Sequence, residues 1–422
     1  MKKLFIINDT TANKVSYYHL ACFLMLLPFD FFYSQLVMMS FAAHTLIHLK
    51  KARFKLLIDK ATLIPIIIYL VGLVTICYST NKTEGLNIAG RQTAIFFMPV
   101  LLALNELDLS EYKLPLLKIF AFTCTIVILY LYADAIHTIL YFHLPLTSLF
   151  STAFINHNFS LPIELHATYL SMYAAFAAFI FSYTVVQEKT KGLKIFYSAC
   201  ILILFAGIVQ LTSRAVFGAV LIIIPVGFPL FLLAKKKNLA FLAVSGIIAL
   251  CTFLIITKVD AFKLRYVSEL KNDLTQAAIN DEILEPRVAR WQLAFDAIKE
   301  SPVIGYGNGT EKELLKQKYF ENKLYISYLE EFNVHSEYFS FLLRAGIVGL
   351  LLYLFVLYYG LSVAIKNKDF LFFSFIALIA IVSVSENILD LNKGVFFYSF
   401  FLSFFLLGSK AELFYAGNRN SF

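Results

Sequence analysis

Apolar runs of membrane-spanning length recur along this chain, and they constrain its fold more than any other feature. A helix needs about 20 apolar residues to cross the hydrocarbon core of a bilayer. Twelve segments are candidates: 15–31, 32–49, 61–79, 92–105, 116–141, 167–186, 195–212, 215–234, 239–257, 339–364, 370–385 and 395–409, of which 92–105 and 395–409 are short. Composition agrees. Hydrophobic residues make up 59% of the 422 positions and charged residues 15%, against roughly 45–50% and about 25% in soluble proteins. A soluble fold cannot hide that much apolar surface. The expected class is an all-α integral membrane protein of about twelve transmembrane helices. The 44 Phe and 24 Tyr are expected to be largely lipid-facing and interfacial bulk.

Charge is unevenly spread. The 80 residues 258–337 hold 11 basic and 14 acidic side chains, while the other 342 hold only 39 charges. The expected organisation is therefore spans 1–9 in residues 1–257, one large polar loop in 258–337, and spans 10–12 with a tail in 338–422. Orientation follows from the excess of Lys and Arg in cytoplasmic connections. With both termini on one side, the connections on that side carry 20 basic residues, and the short ones opposite carry Lys82, Arg91, Arg214 and Lys393. Both termini are thus expected in the cytoplasm and the 258–337 loop outside. The net charge of +8 is then topological and implies no nucleic-acid partner. No cleaved signal peptide is expected, because about fourteen polar residues precede the first apolar run. All five cysteines fall in expected spans, so no disulfide framework or zinc site is foreseen in the loop.

The loop has internal order. Pro286 suits the first position of a helix. Trp291, Ala294, Phe295 and Ile298 then fall at i, i+3, i+4, i+7, an amphipathic helix of about four turns ended by Pro302. Arg287 extends the Trp291 stripe, and Arg290 lies on an adjacent face. Gly305, Gly307 and Gly309 follow. They permit either a tight turn or close backbone approach to a ligand. His335 stands just before the tenth span, where an imidazole suits a general base at neutral pH. Glu337 and Tyr338 follow it. Arg214 sits between two spans joined by almost no loop, on the face where basic residues are scarce, and an arginine there needs water, lipid phosphate or an acidic partner. Arg91 has a similar, weaker claim. Asp134, His137 and His166 lie near the same face, where structural hydrogen bonding is the ordinary role. Arginine pairs with phosphate in a bidentate way and keeps its charge. A histidine among arginines therefore suggests attack on a phosphate-activated substrate. The outer face excludes ATP, so a lipid pyrophosphate is the natural donor.

These residues resemble the O-antigen ligase and O-antigen polymerase family of bacterial membrane glycosyltransferases. The pattern is an arginine four before a tryptophan, a Pro-x-x-Gly-x-Gly turn, and a His-[Asn/Ser]-x-Tyr sequence running into a Gly-x-x-Gly helix. Here it comprises Arg287, Trp291, Ala294, Pro302, Gly305, Gly307, His335, Ser336, Tyr338, Gly346 and Gly349. Ser213-Arg214 and Glu386 resemble two further family elements. Ser336 stands where Asn is frequent. The close match covers about 65 residues, 287–351.

The resemblance implies a GT-C-like helical architecture with one large, mostly helical periplasmic loop in the bacterial inner membrane. It implies a metal-independent glycosyltransferase with no cofactor. The donor would be a glycan on undecaprenyl pyrophosphate and the acceptor a sugar hydroxyl of lipid A–core or another glycan, among membrane lipids. By carry-over His335 is the base, and Arg214 and Arg287 hold the pyrophosphate. Arg290 and Arg91 are second-rank candidates, and Glu337, Tyr338, Trp291, Gly305 and Gly307 are supporting residues. The alternatives are a polysaccharide polymerase or protein O-glycosyltransferase using the same donor. From another class comes a lipid or polysaccharide transporter, which would usually show inverted repeats and ionisable residues at mid-membrane.

Overall fold

A computed structural model describes residues 2–29, 31–233, 256–274 and 286–419, with a few positions between 245 and 254. The chain is helical, and among the described residues there is no strand. The principal helices are α1 (Thr11–Leu26), α2 (Phe31–Ile47), α3 (Lys60–Ile76), α4 (Lys82–Arg91), α5 (Thr93–Leu104), α6 (Lys113–Tyr141), α7 (Ala167–Gln187), α8 (Lys191–Leu211), α9 (Arg214–Phe231), α10 (Arg287–Glu300), α11 (Glu311–Glu321), α12 (Glu337–Lys366), α13 (Phe370–Val382) and α14 (Asn392–Arg419). Short polar side chains start several of them. Asp59 accepts from Ala61 N at 2.8 Å, and Asp369 accepts from Leu371 and Phe372 N at 3.1 Å. Both satisfy amides that the first turn leaves unbonded.

Every expected span except 239–257, which lies largely outside the described residues, coincides at least in part with a helix. Among the described residues, six helices are long and apolar enough to cross a membrane: Lys82–Leu104, α6, α7, α8, α9 and α12. A seventh counts if the 3-10 helix Lys51–Ile58 and α3, bent by 58° at their junction, form one span. The expected short span 92–105 is longer than its apolar run. Only Gln92 separates α4 from α5, and the polar α4 turn is tied by an Arg91–Glu84 ion pair of 3.0 Å.

The centre is α7, whose Ala and Phe side chains are buried almost throughout. Phe176 meets Phe375 at 5.6 Å, Phe401 at 4.9 Å and Phe405 at 6.2 Å between ring centroids. Phe120, Phe397 and Tyr173 complete this aromatic core. A large share of the phenylalanine is thus interior, where lipid-facing bulk was expected. Apolar character alone does not distinguish the two surroundings, because a buried helix and a lipid-facing one are both hydrophobic all round.

Helix α12 is broken at Gly346, which has φ 59° and ψ −159°, a region essentially reserved for glycine. The break frees backbone groups that must find partners. The loop after α10 supplies them. Tyr306 N donates to Leu343 O at 2.7 Å, Gly307 N to Arg344 O at 3.0 Å, and Ile347 N to Pro302 O at 2.9 Å. The fit leaves no space for a side chain. A Cβ on Gly305 would lie 2.5 Å from Leu343 O, and one on Gly346 would lie 2.2 Å from the carbonyl of Val303. On its other flank the loop touches the end of α3, where the Tyr78 hydroxyl donates to Ile304 O at 2.5 Å. The glycines therefore make a tight turn that clamps the polar segment onto α12.

Gly346→Ala is expected to lower stability by about 1–3 kcal/mol from backbone strain alone, plus the cost of moving the Pro302–Gly307 loop. Thermal unfolding in detergent measures it. An unchanged midpoint would mean that the clamp is not what holds the loop.

Candidate functional site

Arg214 owes its position to a two-residue link. Thr212 takes a left-handed φ of 48° and ends α8; Ser213 is extended; Arg214 opens α9. Arg287 opens α10 directly after Pro286. Each guanidinium thus sits at a helix N-terminus, where the backbone dipole is positive. The two line one cleft of about 250 Å³ together with Arg265, Asp273, Trp291 and Glu386. Asp273 lies between them, with its Oδ2 2.5 Å from Arg214 Nη2 and 3.7 Å from Arg287 Nε. Arg287 also donates through Nη1 to Ser385 O at 3.0 Å. Glu386 accepts from the Thr168 hydroxyl at 3.4 Å. Burial raises its pKa, and Arg287 opposes that rise.

His335 stands beside this cleft and is not among its lining residues. It adopts a left-handed φ of 48°, held by its own N–H donating to Asn333 Oδ1 at 3.0 Å. Its ring packs on Phe332 at 5.7 Å, and the Arg290 guanidinium covers the same phenyl ring at 4.9 Å. Burial first, then the charges of Arg290 and Arg287, lower the imidazole's pKa to about 3. The ring is therefore neutral at pH 7 and able to accept a proton. Trp291 links the two parts of the site, because its Nε1 on the arginine-bearing helix donates to Val334 O at 2.9 Å.

A second cluster fixes the histidine segment from beneath. Arg344, inside α12, pairs with Glu311 through Nε at 2.7 Å and with both oxygens of Asp390 through Nη1 at 2.8 Å and Nη2 at 3.0 Å. Asp390 in turn accepts from Asn333 Nδ2 at 3.3 Å. Glu311 accepts from Val334 N at 3.4 Å. The segment that leads into His335 is therefore tied to one buried ion-pair network, through the Asn333 side chain and the Val334 amide. Sequence reasoning did not assign this network. The one signal it offered was a charged residue, Arg344, within an apolar span. Asp273 and Arg265 were also missed, since neither stands in a motif.

The remaining expected residues fall elsewhere. Glu337 is buried and accepts from Leu389 N at 2.9 Å, and the Tyr338 hydroxyl donates to Ala380 O at 2.7 Å. Both join α12 to its neighbours. Gly305 and Gly307 lie in the clamp. Arg91 is paired with Glu84 and does not line the cleft. His166 caps α7 by accepting from Thr168 N at 3.3 Å and packs against His157 at 4.2 Å. His137 stacks on Tyr141 at 6.4 Å, and neither it nor Asp134 lines the cleft.

A protein-family model described as O-antigen ligase matches residues 199–354. That stretch runs from α8 through Arg214, the polar segment, the clamp and His335 into α12. No curated protein matches the chain.

Removing one partner of a buried ion pair strands the other, at a cost of about 3–5 kcal/mol. Arg344→Met should therefore depress the unfolding midpoint strongly, since Glu311 and Asp390 both lose their counter-charge. A wild-type midpoint, read by intrinsic fluorescence, would show the network to be dispensable.

Proposed function

We propose, with the match to residues 199–354 supporting the O-antigen ligase family for this chain, that it is a multi-pass membrane glycosyltransferase. In this reading it has about twelve spans in the bacterial inner membrane, cytoplasmic termini, and a periplasmic 258–337 loop. It moves a glycan from undecaprenyl pyrophosphate to a sugar hydroxyl of lipid A–core. The observation that carries the reading is the convergence of Arg214 and Arg287 in one cleft, with Trp291 tying the helix of Arg287 to the segment of His335.

The chemistry follows from those groups. The acceptor hydroxyl oxygen attacks C1 of the donor sugar while His335 takes its proton. The bond from C1 to the pyrophosphate oxygen breaks, and its electron pair leaves on the lipid pyrophosphate. Arg214 and Arg287 stabilise the charge that develops there. Such preorganised donors are worth roughly 2.7–4 kcal/mol each in one well-studied enzyme. These guanidiniums supply permanent positive charge, so the scheme invokes no metal. Arg290 has no place on the donor in this scheme and acts on the field around His335. Arg91 is left without a role.

A chromosomal knockout should lose surface glycan from lipid A–core altogether, as resolved by size on a gel. Single repeats remaining on the core would indicate a polymerase instead. Complementation with His335→Ala should fail although the protein still inserts, and Arg214→Lys should rescue poorly because an ammonium cannot bind phosphate through two parallel bonds. Full complementation by His335→Ala would remove the base from the mechanism.

The pH dependence has a definite sign. A base acts when unprotonated, and burial and the two arginines hold His335 neutral down to about pH 3. The acid limb of kcat/KM, which reports the free enzyme, should therefore lie well below 6.5. The donor's negative charge offsets Arg287 and raises the imidazole's basicity, so the acid limb of kcat should lie higher than that of kcat/KM. Coincident limbs near 6.5 would contradict this arrangement.

A further inference from the structure

Asp273 occupies an unusual place in the arginine cleft. Its carboxylate sits between the guanidiniums of Arg214 and Arg287, where a phosphate would sit. Arg265 lines the same cleft from the π-helical turn Leu264–Ser268, one turn before the helix Glu269–Leu274 that carries Asp273. Arg265 is engaged at Nη1 by Glu269. Asp273 and Glu269 do not satisfy all the buried donors. Among the described residues, Arg214 Nη1 and Arg265 Nε are both buried without a hydrogen-bond partner. A buried N–H left unbonded is destabilising, and two of them on cations around one cavity point to an anion with more acceptor oxygens than a carboxylate has. Three arginines line the cleft with Asp273 and the buried Glu386, and Glu269 pairs with Arg265. A diphosphate ester brings several oxygens and more than one negative charge.

Resting on the donor reading above, we propose that Asp273 is a built-in stand-in for the donor's diphosphate, displaced when the donor binds, and that Arg265 is a third diphosphate-binding arginine. Asp273 then competes with the donor from within. A site filled by its own carboxylate nine-tenths of the time binds its ligand roughly tenfold more weakly than an open one. The device keeps the cationic cleft neutralised between turnovers and selects for anions that offer more than one carboxylate does, which disfavours acidic lipids with a single phosphate.

The test is binding of farnesyl pyrophosphate to the full-length protein in detergent by calorimetry, with phosphatidylglycerol as the single-phosphate control. Asp273→Asn should bind farnesyl pyrophosphate about tenfold more tightly than wild type, and Arg265→Gln should bind it several-fold more weakly. Phosphatidylglycerol should bind weakly to the wild type and gain on Asp273→Asn. Asp273→Glu keeps the charge and should stay near wild-type affinity, which separates competition from a folding defect. Unchanged or weaker binding by Asp273→Asn, with the wild type binding and Arg214→Ala not, would overturn the inference and leave the donor reading standing. A wild type that binds no farnesyl pyrophosphate would overturn both.

Discussion

The insertion of the Pro302–Gly307 loop into the break of α12 is the interaction on which the rest of the site depends. A helix interrupted at an apolar depth exposes N–H and C=O groups that lipid cannot satisfy, so broken helices persist only where protein supplies the missing partners. Here Leu343 O, Arg344 O and Ile347 N are bonded by the loop that follows α10. One contact therefore fixes two things at once. It sets the direction of the half of α12 that follows His335, and it anchors the C-terminal end of the helix that carries Arg287 and Trp291. The proposed phosphate-binding and proton-accepting residues are held in register through this joint and through the Trp291–Val334 bond.

Electrostatics complete the assembly. Arg214, Arg265, Arg287, Arg290 and Arg344 lie in or around the site, held by carboxylates, a backbone carbonyl and, for Arg290, the Phe332 ring among their partners. Their burial makes the pairings structural as well as chemical, because an unpaired charge away from water is costly. The division of labour is spatial. Arg344 is locked by two acids beneath the histidine segment, while Arg214 and Arg287 share a single carboxylate beside the cavity. The first set has no room for a ligand; the second has a cavity to receive one.

Much of this was legible in the sequence. Apolar runs translated into helices because hydrophobic length is what a span requires, and Pro286 and Pro302 bounded α10 as their missing amides dictate. Arg214, Arg287 and Trp291, singled out in the sequence, line one cleft, and His335 joins them through the bond from Trp291 to Val334. What the sequence left open was decided by contacts between distant segments. The glycine run 305–309 was compatible with a ligand loop or a tight turn, and only its fit against Gly346 resolves it as a clamp. Asp273, 59 positions from Arg214, and Asp390, 46 positions from Arg344, look like ordinary polar residues until the fold pairs them. The phenylalanines of α14 gave no hint of facing α7, since periodicity carries no information in a helix that is apolar on every side.

The central claim is that binding and proton transfer rest on different residues of one site. Purified protein in lipid nanodiscs, given an undecaprenyl-pyrophosphate-linked glycan and lipid A–core, allows donor binding and glycan transfer to be measured on the same sample. The account predicts that His335→Ala binds the donor like wild type yet transfers nothing, whereas Arg214→Ala loses donor binding itself. Equal loss of binding in both variants, or transfer by His335→Ala, would contradict it.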